Sequence, residues 1–248
     1  MKNNTQKILL SLYSNTDGLK NRVPLGNLKF VVPHLTDGGY RSLLHVLKKQ
    51  GVITTQRVLG VTTVSITNHG MVLIEAEFPA LSKKWDTWQG DWDCLVFIES
   101  PSNDKQFRFL RKLLIDEGAI SISRGVYMSP GGFSDVVLAE CHNSYNEAVM
   151  IFSVGDWKIA TEASFVIEKY GLLDLVESYS GLSRDVVRLI ESIDSKNGLI
   201  DTVKKDIGLV YDRVCQVLNE DPGFCTFYFS EAVKVKETLL KLNSLITR

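Results

Sequence analysis

Hydrophobic positions in the first 80 residues recur with helical spacing and then switch to strict alternation. Ile8, Leu9, Leu12 and Tyr13 share one face of a helix expected over residues 5–13. Asn15 to Asn21 reads as a turn. Leu25, Leu28, Val31 and Val32 form a second apolar stripe, with Pro24 suited to its first turn. Pro33-His34-Leu35 breaks it, and Thr36 or Asp37 can cap a third helix over 38–50. Tyr40, Leu43, Leu44 and Leu47 give that helix an i, i+3, i+4, i+7 face, and Gly51 closes it. From Val52 the period falls to two. Residues 52–58 and 61–66 are β-branched runs, and Leu59-Gly60 between them predicts a hairpin turn. Thr67-Asn68 then caps a helix over 70–78. The order predicts a winged helix-turn-helix whose third helix enters the major groove of DNA.

A different alternation follows. Residues 81–90, with Trp85 and Trp88, read as a linker. Residues 93–98 are an apolar strand, 101–104 a loop, and 105–117 a helix with Phe107, Leu110 and Leu114 inward. Short strands at 119–122 and 125–128, a turn at Ser129-Pro130-Gly131-Gly132, a helix over 133–141 and a strand over 148–153 complete the set. Strand, helix, strand, strand, helix, strand is the order of a ferredoxin-like fold. Helical spacing then runs over 159–170, 172–179, 183–193, 199–219 and 230–246, with Asp221-Pro222-Gly223 interrupting the last pair. The expectation is an α+β chain: a winged helix-turn-helix domain at 1–80, a linker at 81–90, a ferredoxin-like domain at 91–156 and a C-terminal helical domain at 157–248.

Charge sharpens this picture. The 248 residues hold 28 Lys+Arg against 29 Asp+Glu, yet residues 1–84 alone carry a balance of +7 and the rest −8. A basic module points to nucleic acid at the N-terminal end. Opposite the apolar stripe of the third helix lie Arg41, Ser42, His45, Lys48 and Lys49. Arg41 and Ser42 are placed to reach base edges, and the small Gly38 and Gly39 would let the backbone come close. Lys48, Lys49 and Arg57 suit phosphate, which gives affinity rather than sequence choice. His45 fits a phosphate contact or a plain surface position, and Thr62 on the hairpin completes the candidate DNA-binding set. The same pattern also fits the solvated face of a surface helix.

Other classes are excluded by what is missing from the sequence. No apolar run approaches the roughly 18 residues of a membrane span, and the N-terminus has no secretory signal pattern. Cys94, Cys141, Cys215 and Cys225 are scattered with no CxxC pair, so a reducing cytoplasm without disulfides is expected. The four histidines form no zinc-binding spacing. No Ser/His/Asp or Cys/His set, phosphate loop or GxSxG elbow appears. We therefore expect no catalytic residues, no metal and no cofactor.

Three motifs resemble the PaaX family of transcriptional repressors. The first is the winged-helix pattern ending Arg57-Val58-Leu59-Gly60 and Ile66-Thr67-Asn68-His69-Gly70. The second is Trp88-Gln89-Gly90-Asp91-Trp92, then Leu95-Val96-Phe97, Pro101, Phe109-Leu110-Arg111-Lys112-Leu113-Leu114 and Gly125-Val126-Tyr127-Met128-Ser129-Pro130. The last string is similar to the family's Gly-Val-Trp-hydrophobic-Ser-Pro, with Tyr127 in place of Trp. The third is Tyr211-Asp212-Arg213 followed by Asp221-Pro222. The chain departs from the family after Asp221-Pro222, where it runs Gly223 to Phe229 without the usual Leu-Pro stretch and Trp. The resemblance implies a homodimeric repressor on a double-stranded DNA operator. Better-known members are released by an aryl-coenzyme A thioester, so an acyl-coenzyme A effector is implied by resemblance alone, and no residue here identifies its site. Trp85, Trp88 and Trp92 suit either an effector pocket or linker packing.

Two further readings stay open. The family's middle domain is similar to the small ferredoxin-like subunit of CRISPR adaptation complexes, in which an Asp at the end of the first strand holds a metal. Glu99 takes that position here, so a metal-dependent nuclease is an alternative. An adaptor binding protein through its acidic helical end is the other.

Overall fold

The computed structural model describes residues 1–14, 21–98, 104–158, 161–195 and 201–247. The chain divides into two compact units. One joins residues 1–85 with 167–248, and the other spans 86–166. It is an α+β protein with two antiparallel sheets. The helices over 172–247, set apart as their own domain by the sequence pattern, share a core with the N-terminal segment.

In the first unit, helix α1 (Asn3–Ser11) is followed by strand β1 (Val23–Pro24), short helix α2 (Leu25–Leu28), a 3-10 turn over 29–31 and helix α3 (Asp37–Lys49). Strands β2 (Ile53–Val58) and β3 (Val61–Ile66) form the expected hairpin, and α4 (Asn68–Glu77) follows. The sheet order is β1-β3-β2, with Val23 opposite Val64. Gly70 is required in α4: a Cβ there would lie 2.3 Å from the Val52 carbonyl oxygen, so the helix seats directly on the start of β2. Thr67 caps α4 by accepting from the Gly70 N–H at 3.0 Å.

Three long helices complete this unit: α8 (Leu172–Ser195), α9 (Asp201–Glu220) and α11 (Val235–Thr247), with a single turn α10 (Cys225–Tyr228). The sequence suggests a break in α8 near Gly181. Instead Leu172, Leu175, Tyr179, Leu182, Val186, Leu189 and Ile193 form one buried stripe at alternating three- and four-residue steps. Burial of that stripe outweighs the roughly 1 kcal/mol that a glycine costs a helix. Helix α9 packs on the 3-10 turn before α3, where a Cβ on Gly208 would lie 2.7 Å from Pro33 Cδ.

Buried polar contacts join the chain ends. The Asn243 amide donates to the carbonyls of Leu10 at 2.9 Å and Tyr13 at 3.1 Å, and its oxygen accepts from the Tyr211 hydroxyl at 2.7 Å. Lys7, fully buried on α1, pairs with Asp212 of α9 at 2.9 Å. A buried cation needs such a partner to offset its lost hydration.

The second unit is built on β4 (Trp92–Phe97), α5 (Asp104–Asp116), β5 (Ile120–Ser123), β6 (Val126–Pro130), α6 (Asp135–Ser144) and β7 (Val149–Val154), and the boundary with the first unit falls within α7 (Glu162–Lys169). Its strand order is β5-β6-β4-β7, all antiparallel. Leu95 and Tyr127 pack against Leu110, Leu114, Val137 and Cys141 from α5 and α6 on one face. The Tyr145 hydroxyl ties the end of α6 to α5 by donating to the Gln106 carbonyl at 2.7 Å. His142, one residue past the helix expected over 133–141, lies in the last turn of α6.

Trp88 and Trp92 are buried edge to face at 5.9 Å, and the Trp92 indole donates to Glu162 at 2.8 Å. Trp85 packs on Phe224 at 5.5 Å within the first unit. All three indoles pack against aromatic neighbours. Glu99 and the Pro101 loop lie outside the described residues, as does most of the Asn15–Asn21 turn. Among the described residues, no helix is long and apolar enough to cross a membrane.

Candidate nucleic-acid interface

Helix α3 starts where Thr36 stops the preceding turn. The Thr36 Oγ1 accepts from the Gly39 N–H at 3.2 Å, satisfying one of the free amides at the helix start. Tyr40, Leu44 and Leu47 are buried, and the Tyr40 hydroxyl donates to the Leu25 carbonyl at 2.7 Å. That bond fixes α3 against α2. Burial pushes the Tyr40 phenol well above its ordinary value, so it stays a neutral donor.

The opposite side is open to solvent. Residues advance about 100° around a helix, so Arg41, His45 and Lys48 fall within an arc of about 60°. Ser42 and Lys49 widen it to about 120°. All five are exposed. The Lys48 ammonium donates to Thr55 Oγ1 on β2 at 3.0 Å, which holds it between the helix and the hairpin. On the hairpin, exposed Arg57 stands opposite exposed Thr62 across the ladder, and Arg57 Nε donates to the Gly60 carbonyl at 3.3 Å.

Gly39 has a role nearer home than a ligand. Its N–H is already taken by Thr36, and a Cβ there would come within 3.3 Å of Thr36 Oγ1. Gly38, with nothing within 4 Å of its Cβ position, is the glycine that leaves room for an approaching backbone.

One carboxylate stands on this surface. Asp37 is paired with Lys29, whose ammonium holds the carboxyl below the usual carboxylate range, with a smaller contribution from Arg41. Lys29 therefore offsets the one negative charge beside this cationic face. The sequence pattern points to neither Lys29 nor Thr55. Lys29 sits beyond the Pro33 break, and Thr55 is one of several threonines on an alternating strand. Only the folded chain brings each beside its partner.

A separate recess of about 400 Å³ lies between α8 and α9. Leu189, Leu209 and Val210 line it, and Arg188 and Arg213 stand at Asp185, Arg213 in a direct ion pair. Among the described residues, no cluster of His, Cys, Asp and Glu is arranged to hold a metal ion.

No protein-family model matches the chain, and no curated protein matches it in sequence. Among solved structures, the chain is similar to an uncharacterized protein, Rv0674 from Mycobacterium tuberculosis. The match has a TM-score of 0.51 at 13% identity and covers 96% of this chain and 95% of that one. At that identity the likeness speaks to the fold over its whole length.

Proposed function

We propose that this chain is a sequence-specific, double-stranded-DNA-binding transcriptional repressor of the PaaX type, acting as a homodimer. The observation that carries the reading is the exposed cationic face of α3, set opposite its buried stripe and flanked by a hairpin bearing Arg57. The order α1, β1, α2, α3, β2, β3 supports a winged helix-turn-helix. The β5-β6-β4-β7 sheet, covered on one face by α5 and α6, supports a ferredoxin-like second unit. In this reading Arg41 and Ser42 meet base edges, while Lys48, Lys49 and Arg57 meet phosphates.

The test is fluorescence anisotropy with duplex DNA from the chain's own upstream region, beside a scrambled duplex, at physiological salt. A preference of about a thousandfold is expected. R41A should lower affinity and relax sequence choice at one position. K48A should weaken all duplexes alike and flatten the salt dependence. Equal weak binding to both duplexes, or R41A behaving as wild type, refutes the assignment of α3.

A further inference from the structure

The tip of the β2–β3 hairpin departs from what a tight turn asks for. Val58 pairs with Val61 across the last rung, leaving Leu59 and Gly60 as a two-residue turn. Their φ angles are 49° and 84°, both positive, which is the type I′ geometry. Asn, Asp or Gly fits the first of these positions: a Cβ there crowds the following carbonyl, Gly has none, and the short polar side chains of Asn and Asp offset the crowding by local hydrogen bonds. Leu59 is the one non-glycine residue with positive φ among the described residues. Its side chain is 99% exposed, and that of Val61 is 52% exposed. The position therefore bears a strained backbone and a bare apolar side chain that packs on nothing in its own fold. A guanidinium is fastened to the same tip through the Arg57 bond to the Gly60 carbonyl.

A protein partner is the poorer match. Two apolar side chains on a narrow tip fall far short of the roughly 800 Å² that each side of a standard protein interface buries. The minor groove of DNA needs much less. There a single Leu, Ile, Met or Phe can enter a base step, partly unstack it and kink the duplex, and Arg is drawn by the groove's negative potential.

The geometry points to Leu59 as a wedge. With α3 in the major groove, the hairpin tip enters the neighbouring minor groove, and Leu59 inserts at a pyrimidine–purine step and bends the operator. Such steps unstack most readily, so the wedge adds sequence choice at a position that no hydrogen bond reads. This inference rests on the DNA-binding reading of α3.

The experiment is Leu59→Asn, with Leu59→Met as the conservative partner. Asn suits the I′ turn, so L59N should melt about 2–4 °C higher than wild type rather than misfold. It should bind the upstream duplex about tenfold more weakly, with an unchanged salt slope because no phosphate contact is lost. The bend measured by energy transfer between the duplex ends should fall. The rise in 2-aminopurine fluorescence at one TA or CA step, seen with wild type and L59M, should vanish. If R41A lowers affinity and relaxes sequence choice while L59N matches wild type in affinity and bend, the wedge is wrong and the α3 reading stands. If wild type binds no duplex, both fall together. A change in the sedimentation of the DNA-free protein in L59N would assign the tip to a protein contact and overturn the wedge.

Discussion

Asn243 is where the two ends of the chain are fastened, and replacing it with Ala tests that join. The side chain is buried and makes three hydrogen bonds, two to carbonyls at the end of α1 and one from Tyr211. Ala removes all three. The Tyr211 hydroxyl, itself fully buried, is left without its acceptor. The Leu10 carbonyl keeps the Tyr13 N–H, so its loss is smaller. A buried polar group left unsatisfied costs about 1–3 kcal/mol. The hydroxyl and the carbonyls together give about 3–5 kcal/mol, a large share of a whole stability of about 5–15 kcal/mol. Tyr211→Phe should cost less, about 1–2 kcal/mol, since it leaves one amide oxygen unpaired. The double variant should be milder than the sum by about 1 kcal/mol or more, because the orphaned hydroxyl is gone. Urea unfolding supplies the energies, and amide exchange in α1 reads the affected unit directly. A loss below about 0.5 kcal/mol in N243A, or strict additivity in the double variant, would refute the claim that this network holds α1 to α9 and α11.

Three other outcomes are expected. Gly208→Val places a side chain against Pro33, so α9 must lift from the turn before α3; a loss of about 1–3 kcal/mol is expected in thermal unfolding. Asp221 is buried, and desolvation raises its carboxyl above the ordinary value despite bonds from the Tyr179 hydroxyl and the Gly223 amide. The folded state therefore holds this proton to higher pH than the unfolded chain does, and the contribution to stability falls as pH rises through the folded pKa. The stability of wild type relative to D221N should accordingly drop as pH rises from the ordinary carboxylate range through the raised folded pKa, and a flat difference would show that Asp221 is not the titrating group. The four cysteines are all buried, and burial pushes the thiols of Cys215 and Cys225 up to about 12 and that of Cys141 up to about 11. Iodoacetamide should leave them unmodified at neutral pH until urea opens the fold, whereas fast labelling of native protein would contradict their burial.

Much of the candidate interface was legible along the chain because its determinants are local. The stripe of α3, its Thr36 cap and the Leu59-Gly60 turn each rest on residues a few positions apart, and a helix or hairpin answers to such neighbours. The exposed cations followed as the complement of that stripe. Local signals misled where packing overrode them. Gly181 reads as a break, yet the stripe beneath it continues through α8. Residues 230–246 read as one helix, whereas residues 230–232 form a turn and α11 begins only at Val235.

What the sequence by itself determined is the set of amphipathic elements, their order and the basic face of α3, since each follows from periodicity and charge within a short window. Only the tertiary structure decided which elements share a core. A lysine in a helix reads as solvent-facing, but Lys7 is buried against Asp212, and Asn243 reaches back 233 residues to the Leu10 carbonyl. The two-residue strand β1 exists only because Val23 meets Val64. Such pairings depend on long-range burial and on satisfying buried polar groups, which no local pattern encodes. That is why the C-terminal helices, separate in the sequence pattern, fold as one unit with the segment that carries α3.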